Sequence, residues 1–139
     1  MPKRYSSNLS DHQSHLVHAA LTAREHAHAP FSKFLVGAAL EEETGRVHTG
    51  CNIENASYGL TMCAERVALF KAMSEGARRF RRIAIAADTE ELAPPCGACR
   101  QILWEFCGDI EILLCNLGGK TEVLRLKELF PRGFDASFL

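Results

Sequence analysis

The chain has 139 residues and a mass of 15.4 kDa, a length that fits one folded domain, which we expect to span residues 1–139. Hydrophobic residues make up 47% of the sequence and charged residues 24%, a composition that excludes a mainly disordered chain. The 16 Lys and Arg residues balance the 17 Asp and Glu residues, so a net charge of −1 supplies no overall positive field for nucleic acid or an anionic membrane.

Apolar spacing, helix caps and turn residues predict an alternation of helices and strands along most of the chain. The first helix begins at Ser10 or Asp11 and reaches about His28. The following elements, in chain order, are strands at 35–42 and 46–52, a helix at 63–75, a strand at 82–87, a helix at 97–106, strands at 111–115 and 121–124, and a short helix at 126–130. Turn and helix-end residues separate them, among them Gly45, Gly76, Pro94, Gly108 and Gly118.

This order of elements predicts a hairpin followed by strand–helix–strand units, which form right-handed crossovers. If the third strand lies beside the first, both crossover helices cover the same face of the sheet. Their N-termini then meet at the carboxyl ends of the parallel strands, where open α/β sheets bind ligands. Because these helices begin at Cys63 and at Cys96–Cys99, we expect three thiols to lie together.

The six cysteines are too few for a disulfide scaffold in a chain of this length. No apolar stretch approaches the roughly 20 residues that cross a bilayer. The stretch from Met1 to Leu21 also lacks the apolar core of an export signal, so we expect a cytoplasmic protein without a membrane partner. In that reducing compartment, the C-x-x-C pair Cys96 and Cys99 indicates metal binding or redox chemistry.

Three thiolates at the positive ends of two helices favour a zinc ion. A structural zinc site needs a fourth protein ligand, for which Cys51 is the least unfavourable candidate. A catalytic site instead leaves the fourth position to water, and this is the interpretation we prefer. Glu65 follows Cys63 by two residues, where a carboxylate can take a proton from water and pass it to a substrate.

The pattern C-x-E followed by P-C-x-x-C is typical of zinc-dependent base deaminases. The chain resembles the small homotetrameric cytidine deaminases over nearly its whole length. The stretches that carry this resemblance are P-F-S-K-F at 30–34, V-G-A-A at 36–39, T-G-C-N-I-E-N-A at 49–56, S-Y-G-L-T-M-C-A-E-R at 57–66 and P-C-G-A-C-R-Q at 95–101.

The resemblance implies an α/β fold with three layers, in which helices flank a mixed five-stranded sheet. It implies a pyrimidine salvage enzyme that hydrolyses cytidine and 2′-deoxycytidine to uridine and 2′-deoxyuridine with release of ammonia. It also implies one zinc ion per subunit, held by Cys63, Cys96 and Cys99, with Glu65 as the residue that moves protons.

The same resemblance implies the residues that bind the substrate. Asn52 and Glu54 match residues that bind the ribose hydroxyls, Phe31 matches an aromatic beside the base, and the backbone of Ala64 reads the pyrimidine. Phe134 matches a phenylalanine that reaches a neighbouring subunit's base pocket, so the implied homotetramer has shared active sites.

Two arginines follow the site residues directly and are candidates to offset its charge. Zinc with three thiolates carries a formal charge of −1, so positive groups nearby favour the complex. Arg66 follows Glu65 and Arg100 follows Cys99. In the family that the chain resembles, the arginine matching Arg66 donates hydrogen bonds to the ligand sulfurs.

Three other functions compete with nucleoside deamination. A deaminase of another cytosine compound, such as blasticidin S, shares both halves of the motif, but the segment N-I-E at 52–54 favours a nucleoside. A nucleic-acid editing protein is disfavoured by the net charge and the short chain, although Arg78, Arg79, Arg81 and Arg82 form a basic cluster. In a structural zinc module or a redox protein, Glu65 has no role.

Overall fold

The computed structural model describes residues 8–139, and its helices and strands follow the predicted order. Residues 1–7, the beginning of the polar N-terminal stretch, lie outside the described residues. The elements are helix α1 (Asp11–Arg24), strands β1 (Val36–Glu42) and β2 (Val47–Cys51), helix α2 (Ala64–Ser74), strand β3 (Phe80–Ala87), helix α3 (Gly97–Cys107), strands β4 (Glu111–Cys115) and β5 (Thr121–Arg125), and helix α4 (Leu126–Leu129).

Helix α1 begins as predicted, with the Ser10 side chain capping its first turn. It ends at Arg24, so the predicted end at about His28 is wrong. The backbone of His28 is extended instead: its N–H donates to the Asn52 carbonyl at 2.9 Å, and its carbonyl accepts from the Glu54 N–H at 2.8 Å. A pairing with a distant segment therefore overrides the helical pattern of the local sequence.

The sheet has five strands in the order β2-β1-β3-β4-β5. Strand β1 pairs antiparallel with both β2 and β3, β3 pairs parallel with β4, and β5 is an antiparallel edge strand. The mixed five-stranded sheet is thus confirmed, with the third strand beside the first. Strands β2, β3 and β4 all run in one direction, although β2 and β3 are separated by β1.

Two apolar cores, one on each face of the sheet, make the fold three-layered. On one face, Leu16 and Ala20 of α1 pack against the sheet. On the other, α2 and α3 share a core that includes Leu69 and Leu103, which confirms that both crossover helices lie on one face. No helix within residues 8–139 is long and apolar enough to cross a membrane.

A glycine in β2 allows helix α2 to approach the sheet very closely. A Cβ atom on Gly50 of β2 would lie 2.5 Å from the backbone nitrogen of Ala68 and 2.7 Å from the carbonyl oxygen of Ala64, both in α2. Only glycine fits such a contact.

Because β2 and β3 run in one direction, the start of α2 and the loop into α3 lie at the same edge of the sheet.

Candidate active site

The starts of α2 and α3 bring three cysteines together. Cys63 and Cys96 are the N-cap residues of the two helices, and Cys99 lies in the first turn of α3. Neither cap side chain accepts a hydrogen bond from a backbone N–H of its helix, so neither sulfur is used for capping. The three Sγ atoms all lie within 4.8 Å of one another, which confirms the expected convergence of thiols.

The spacing and chemistry of these sulfurs fit a zinc ion. Tetrahedral zinc with Zn–S bonds of about 2.3 Å separates two sulfur ligands by about 3.8 Å. The Sγ atoms of Cys63 and Cys96 are 3.9 Å apart. Cys51, the sequence candidate for a fourth protein ligand, is not part of this cluster among the described residues. The geometry therefore supports three protein ligands and a fourth position left to water.

Cys63 is the sulfur best prepared to be a thiolate. A hydrogen bond from the Cys99 thiol and the Arg66 guanidinium both lower the pKa of Cys63, and Arg66 Nη2 donates to its Sγ at 3.1 Å. The same hydrogen bond to Cys63, together with burial, raises the pKa of Cys99. The positive ends of the two helices add to the stabilisation of negative sulfur. Arg66 thus lies where the sequence predicts a compensating charge.

Arg100 makes different contacts from Arg66. Its Nε donates to the Pro95 carbonyl at 2.7 Å, and its Nη1 donates to the Leu129 carbonyl at 2.7 Å. The guanidinium therefore braces the loop before α3 against the end of α4. Of the two arginines, Arg66 makes the direct contact with a cysteine sulfur among the described residues.

Glu65 lies beside the cysteines and is almost completely buried. It is the second residue of α2, and its exposed fraction is 4%. Burial raises the pKa of Glu65, and the negative charge of Cys63 adds to this effect, whereas a hydrogen bond with Cys99 opposes it. A carboxyl group that binds a proton readily next to a metal centre is suited to general acid–base chemistry.

A cavity of about 170 Å³ opens beside Glu65, Cys63 and Cys96. Asn52 lines it, and hydrogen bonds to its neighbours fix its amide: Oδ1 accepts from the Val36 N–H at 2.9 Å. Its Nδ2 group donates to a backbone carbonyl at 2.7 Å. One amide proton and one oxygen lone pair of Asn52 remain for a ligand. Ala64 also lines the cavity.

A second depression adjoins this cavity, because Thr61 lines both. Glu54 lies in the second depression, where its Oε1 accepts from the N–H groups of Phe31 and Ser32 at 2.9 and 3.1 Å. Its Oε2 accepts from the Ser32 hydroxyl. The hydrogen bond from this hydroxyl is the largest cause that lowers the pKa of Glu54. Burial opposes it, and the two backbone hydrogen bonds lower the pKa further, so the carboxylate is the stable form.

The structure places Phe34, rather than Phe31, in the cavity beside Glu65. Phe31 is half exposed in the second depression, edge-on to Tyr58 at a centroid distance of 5.9 Å. Between the two aromatics, Lys33 has a φ of +62°, a left-handed conformation that reverses the course of the chain. The sequence signal for Phe34 is its position as the second aromatic of P-F-S-K-F, just before β1.

Phe134 does not line the cavity of its own chain. It is 54% exposed and stacks on Phe138 with a centroid distance of 5.6 Å. Its backbone carbonyl accepts from Gln101 Nε2 at 2.8 Å, so the tail is fastened to the side of α3. The two exposed rings form an apolar surface away from Glu65.

Comparison with known proteins identifies close relatives. Residues 10–114 match the family model described as the cytidine and deoxycytidylate deaminase zinc-binding region. A cytidine deaminase of Halalkalibacterium halodurans is 53% identical over 122 residues, which cover 87% of this chain and 92% of that protein.

A solved structure and a more distant relative extend the comparison. The crystal structure of cytidine deaminase from Burkholderia pseudomallei superposes with a TM-score of 0.85 at 46% identity, covering 91% of this chain and 100% of that chain. A blasticidin-S deaminase of Bacillus cereus is 29% identical over 108 residues, covering 72% of this chain and 76% of that protein. Overall similarity is thus greater to the nucleoside enzymes.

Proposed function

Because this chain belongs to the cytidine deaminase family, we infer that it is a zinc-dependent hydrolase that converts cytidine to uridine and ammonia. The observation that carries this function is the meeting of a buried carboxyl, Glu65, with three cysteine sulfurs beside one cavity. We propose that 2′-deoxycytidine is a second substrate, giving 2′-deoxyuridine, and that the enzyme serves pyrimidine salvage in the cytoplasm. Residues 1–139 act in this proposal as one domain, without a nucleic-acid or membrane partner.

The proposed chemistry assigns one role to each group around Glu65. Cys63, Cys96 and Cys99 hold the zinc ion, whose Lewis acidity makes water a nucleophile at neutral pH. Glu65 accepts a proton from the water and delivers it to N3 of the cytosine ring. It then relays a proton to the nitrogen that leaves C4 as ammonia, so that water is consumed and ammonia is released. Arg66 offsets the negative charge of the sulfurs through its contact with Cys63.

The two adjoining depressions support a ligand made of a base and a sugar. The cavity beside Glu65 receives the pyrimidine, with the backbone of Ala64 reading its edge and Phe34 forming an apolar wall. Asn52 and Glu54 bind the ribose hydroxyls, since an amide and a carboxylate both pair well with hydroxyl groups. Phe31 flanks the sugar side of the site.

An absorbance assay with four substrates in parallel tests this function. Deamination of cytosine removes its characteristic ultraviolet absorbance, so cytidine, 2′-deoxycytidine, cytidine monophosphate and blasticidin S can be compared directly. We expect rapid loss of absorbance with the two nucleosides and little with blasticidin S. Faster reaction with blasticidin S than with cytidine would assign the chain to the rival deaminase class.

The phosphate group of a nucleotide should oppose binding. The Glu54 carboxylate lies in the proposed sugar depression, and its lowered pKa keeps it negative at neutral pH. We therefore expect cytidine monophosphate to be deaminated at least about tenfold less efficiently than cytidine, by like-charge repulsion. Free cytosine, which lacks the sugar, should also be a poor substrate. Equal kcat/KM values for cytidine and its monophosphate would contradict this assignment of Glu54.

We further propose a homotetramer in which Phe134 reaches a neighbouring subunit's cavity. Burial of the exposed Phe134 and Phe138 rings against a partner favours such an assembly. Aromatic stacking on a bound pyrimidine is worth roughly 0.5–1.5 kcal/mol, so Phe134→Ala should raise KM for cytidine by about tenfold at most. The matched control is Leu139→Ala, which removes apolar surface from the same tail.

Sedimentation velocity and Michaelis constants check the shared site together. We expect tetramers for the wild-type protein and the control, and a raised KM with little change in kcat for Phe134→Ala. A fully active monomeric wild-type protein would rule out the shared site.

A further inference from the structure

The Glu54 carboxylate is held by one short segment of the chain. Its three hydrogen bonds come from the backbone N–H groups of Phe31 and Ser32 and from the Ser32 hydroxyl. The two backbone donors depend on the path of the chain, whereas the hydroxyl belongs to a side chain that substitution can remove. Ser32 therefore supplies the replaceable part of the support for Glu54.

The same hydroxyl also contacts the segment that enters the base cavity. Ser32 Oγ accepts from the Phe34 N–H at 3.0 Å while it donates to Glu54. This contact spans the left-handed residue Lys33, a conformation that non-glycine residues adopt only when their surroundings hold it. Phe34 lines the cavity beside Glu65, and its carbonyl accepts from Asn52 Nδ2 at 2.7 Å. One serine thus connects both depressions.

We propose that Ser32 is a positioning residue that fixes the Glu54 carboxylate relative to the base cavity through its hydrogen bonds to Glu54 and to the Phe34 backbone. This inference rests on the proposed role of Glu54 in binding the sugar. The hydroxyl donates to one lone pair of Oε2 and so fixes the orientation of the carboxylate. The remaining lone pairs then point toward a ligand in fixed directions. Ser32 touches neither the reacting atoms nor the cysteine sulfurs in this arrangement.

The protonation state of Glu54 gives the proposal a second signature. The Ser32 hydroxyl is the largest cause of the lowered Glu54 pKa. Protonated Glu54 loses its ability to accept from a sugar hydroxyl on the protonated oxygen, so KM should rise as the pH falls through the Glu54 pKa. Without the hydroxyl this pKa moves up, and the rise in KM begins at higher pH. Among the described residues, His28 acts electrostatically on Glu54, Tyr58 lines the same depression, and Lys33 belongs to the segment that holds Glu54; the substitution alters none of the three.

The test compares four zinc-loaded proteins: the wild type, Ser32→Ala, Ser32→Thr and Ser57→Ala. Ser57, in the neighbouring loop, is a matched control. Its backbone N–H donates to Asn55 Oδ1, and substitution by alanine keeps this hydrogen bond. The Michaelis parameters are measured between pH 4 and pH 8 for cytidine and for 2′,3′-dideoxycytidine, which lacks both hydroxyls of the sugar edge. Thermal unfolding of each protein verifies that it is folded.

For Ser32→Ala we expect KM for cytidine to rise about fivefold at neutral pH while kcat stays within about twofold, the effect of weakening one charge-assisted hydrogen bond. KM for the dideoxynucleoside should be unchanged, and the acid rise in KM for cytidine should move to higher pH. Ser32→Thr, which keeps a hydroxyl, and Ser57→Ala should both behave like the wild type.

Two results overturn the proposal. An unchanged KM for cytidine in Ser32→Ala means that the hydroxyl is dispensable, and an equal rise in KM for both nucleosides means a general structural effect. Failure of the wild-type protein to deaminate cytidine at all would instead contradict the proposed function, so the two failures are distinguishable.

Discussion

Glu65→Gln should abolish nearly all turnover while the protein keeps its fold and one zinc ion per chain. Glutamine has almost the same shape as glutamate, and the three proposed metal ligands are cysteines, so the substitution leaves the ligand set intact. An amide cannot take up and release the protons that the reaction needs. Loss of a general acid–base group costs about 10²–10⁴-fold in rate, and we expect a decrease of at least that size in kcat.

The matched control for this variant is Glu105→Gln, an exposed glutamate on α3 that does not line the cavity. It should retain wild-type kcat and zinc content. Zinc is quantified by elemental analysis of the dialysed proteins, and kcat is measured on the same samples. Wild-type activity in a fully metallated Glu65→Gln protein would falsify the proposed proton transfer.

Cys96→Ala should remove the zinc ion and lower the stability of the fold together. Cys96 is one of the three proposed ligands and also the N-cap of α3, so a metal held there would fasten the start of that helix to the start of α2. Because metal binding to a folded site contributes to folding free energy, its loss is also a loss of stability. We expect less than one tenth of the wild-type zinc after dialysis, a clear decrease in melting temperature and no measurable turnover.

Cys107→Ala separates loss of a ligand from loss of a thiol. Cys107 lies at the far end of α3, and burial raises its pKa to about 12, so it stays a neutral thiol. This variant should keep one zinc ion per chain and most of its activity. If Cys96→Ala instead retained one tightly held zinc ion, the ligand set of Cys63, Cys96 and Cys99 would be incorrect.

The sequence predicted most of the fold because the boundaries of most helices and strands depend on local chemistry. Glycine and proline mark the turns, and serine marks the start of α1 at Ser10. The one large error, the end of α1, arose where the backbone of His28 pairs with a segment more than twenty residues away. Such pairing depends on the tertiary fold, which helix periodicity does not report.

The sequence predicted the cysteine cluster of the candidate site but not the aromatic residue that lines its cavity. The convergence of Cys63, Cys96 and Cys99 followed from topology, since two parallel strands deliver two helix starts to one edge of the sheet. The sequence analysis named only Phe31, whereas the position of Phe34 in the cavity accompanies a left-handed conformation of Lys33 that no local pattern indicated.

The contacts of Arg100 were also beyond local inference. Its partners are the carbonyls of Pro95 and Leu129, and the second of these belongs to a helix near the C-terminus. Adjacency to Cys99 in the sequence suggested a charge-compensating role, but in an α-helix neighbouring residues do not share a face. The geometry of α3 therefore decides which group the guanidinium meets.

Turnover of cytidine as a function of zinc bound per chain tests the central claim most directly. Metal-free protein is titrated with zinc, and the initial rate of uridine formation is measured at each loading. We predict that the rate rises linearly and stops rising at one zinc ion per chain, with one ammonia released for every uridine formed. A rate that is independent of zinc, or a break at a different stoichiometry, would contradict a single catalytic zinc site formed by the three cysteines.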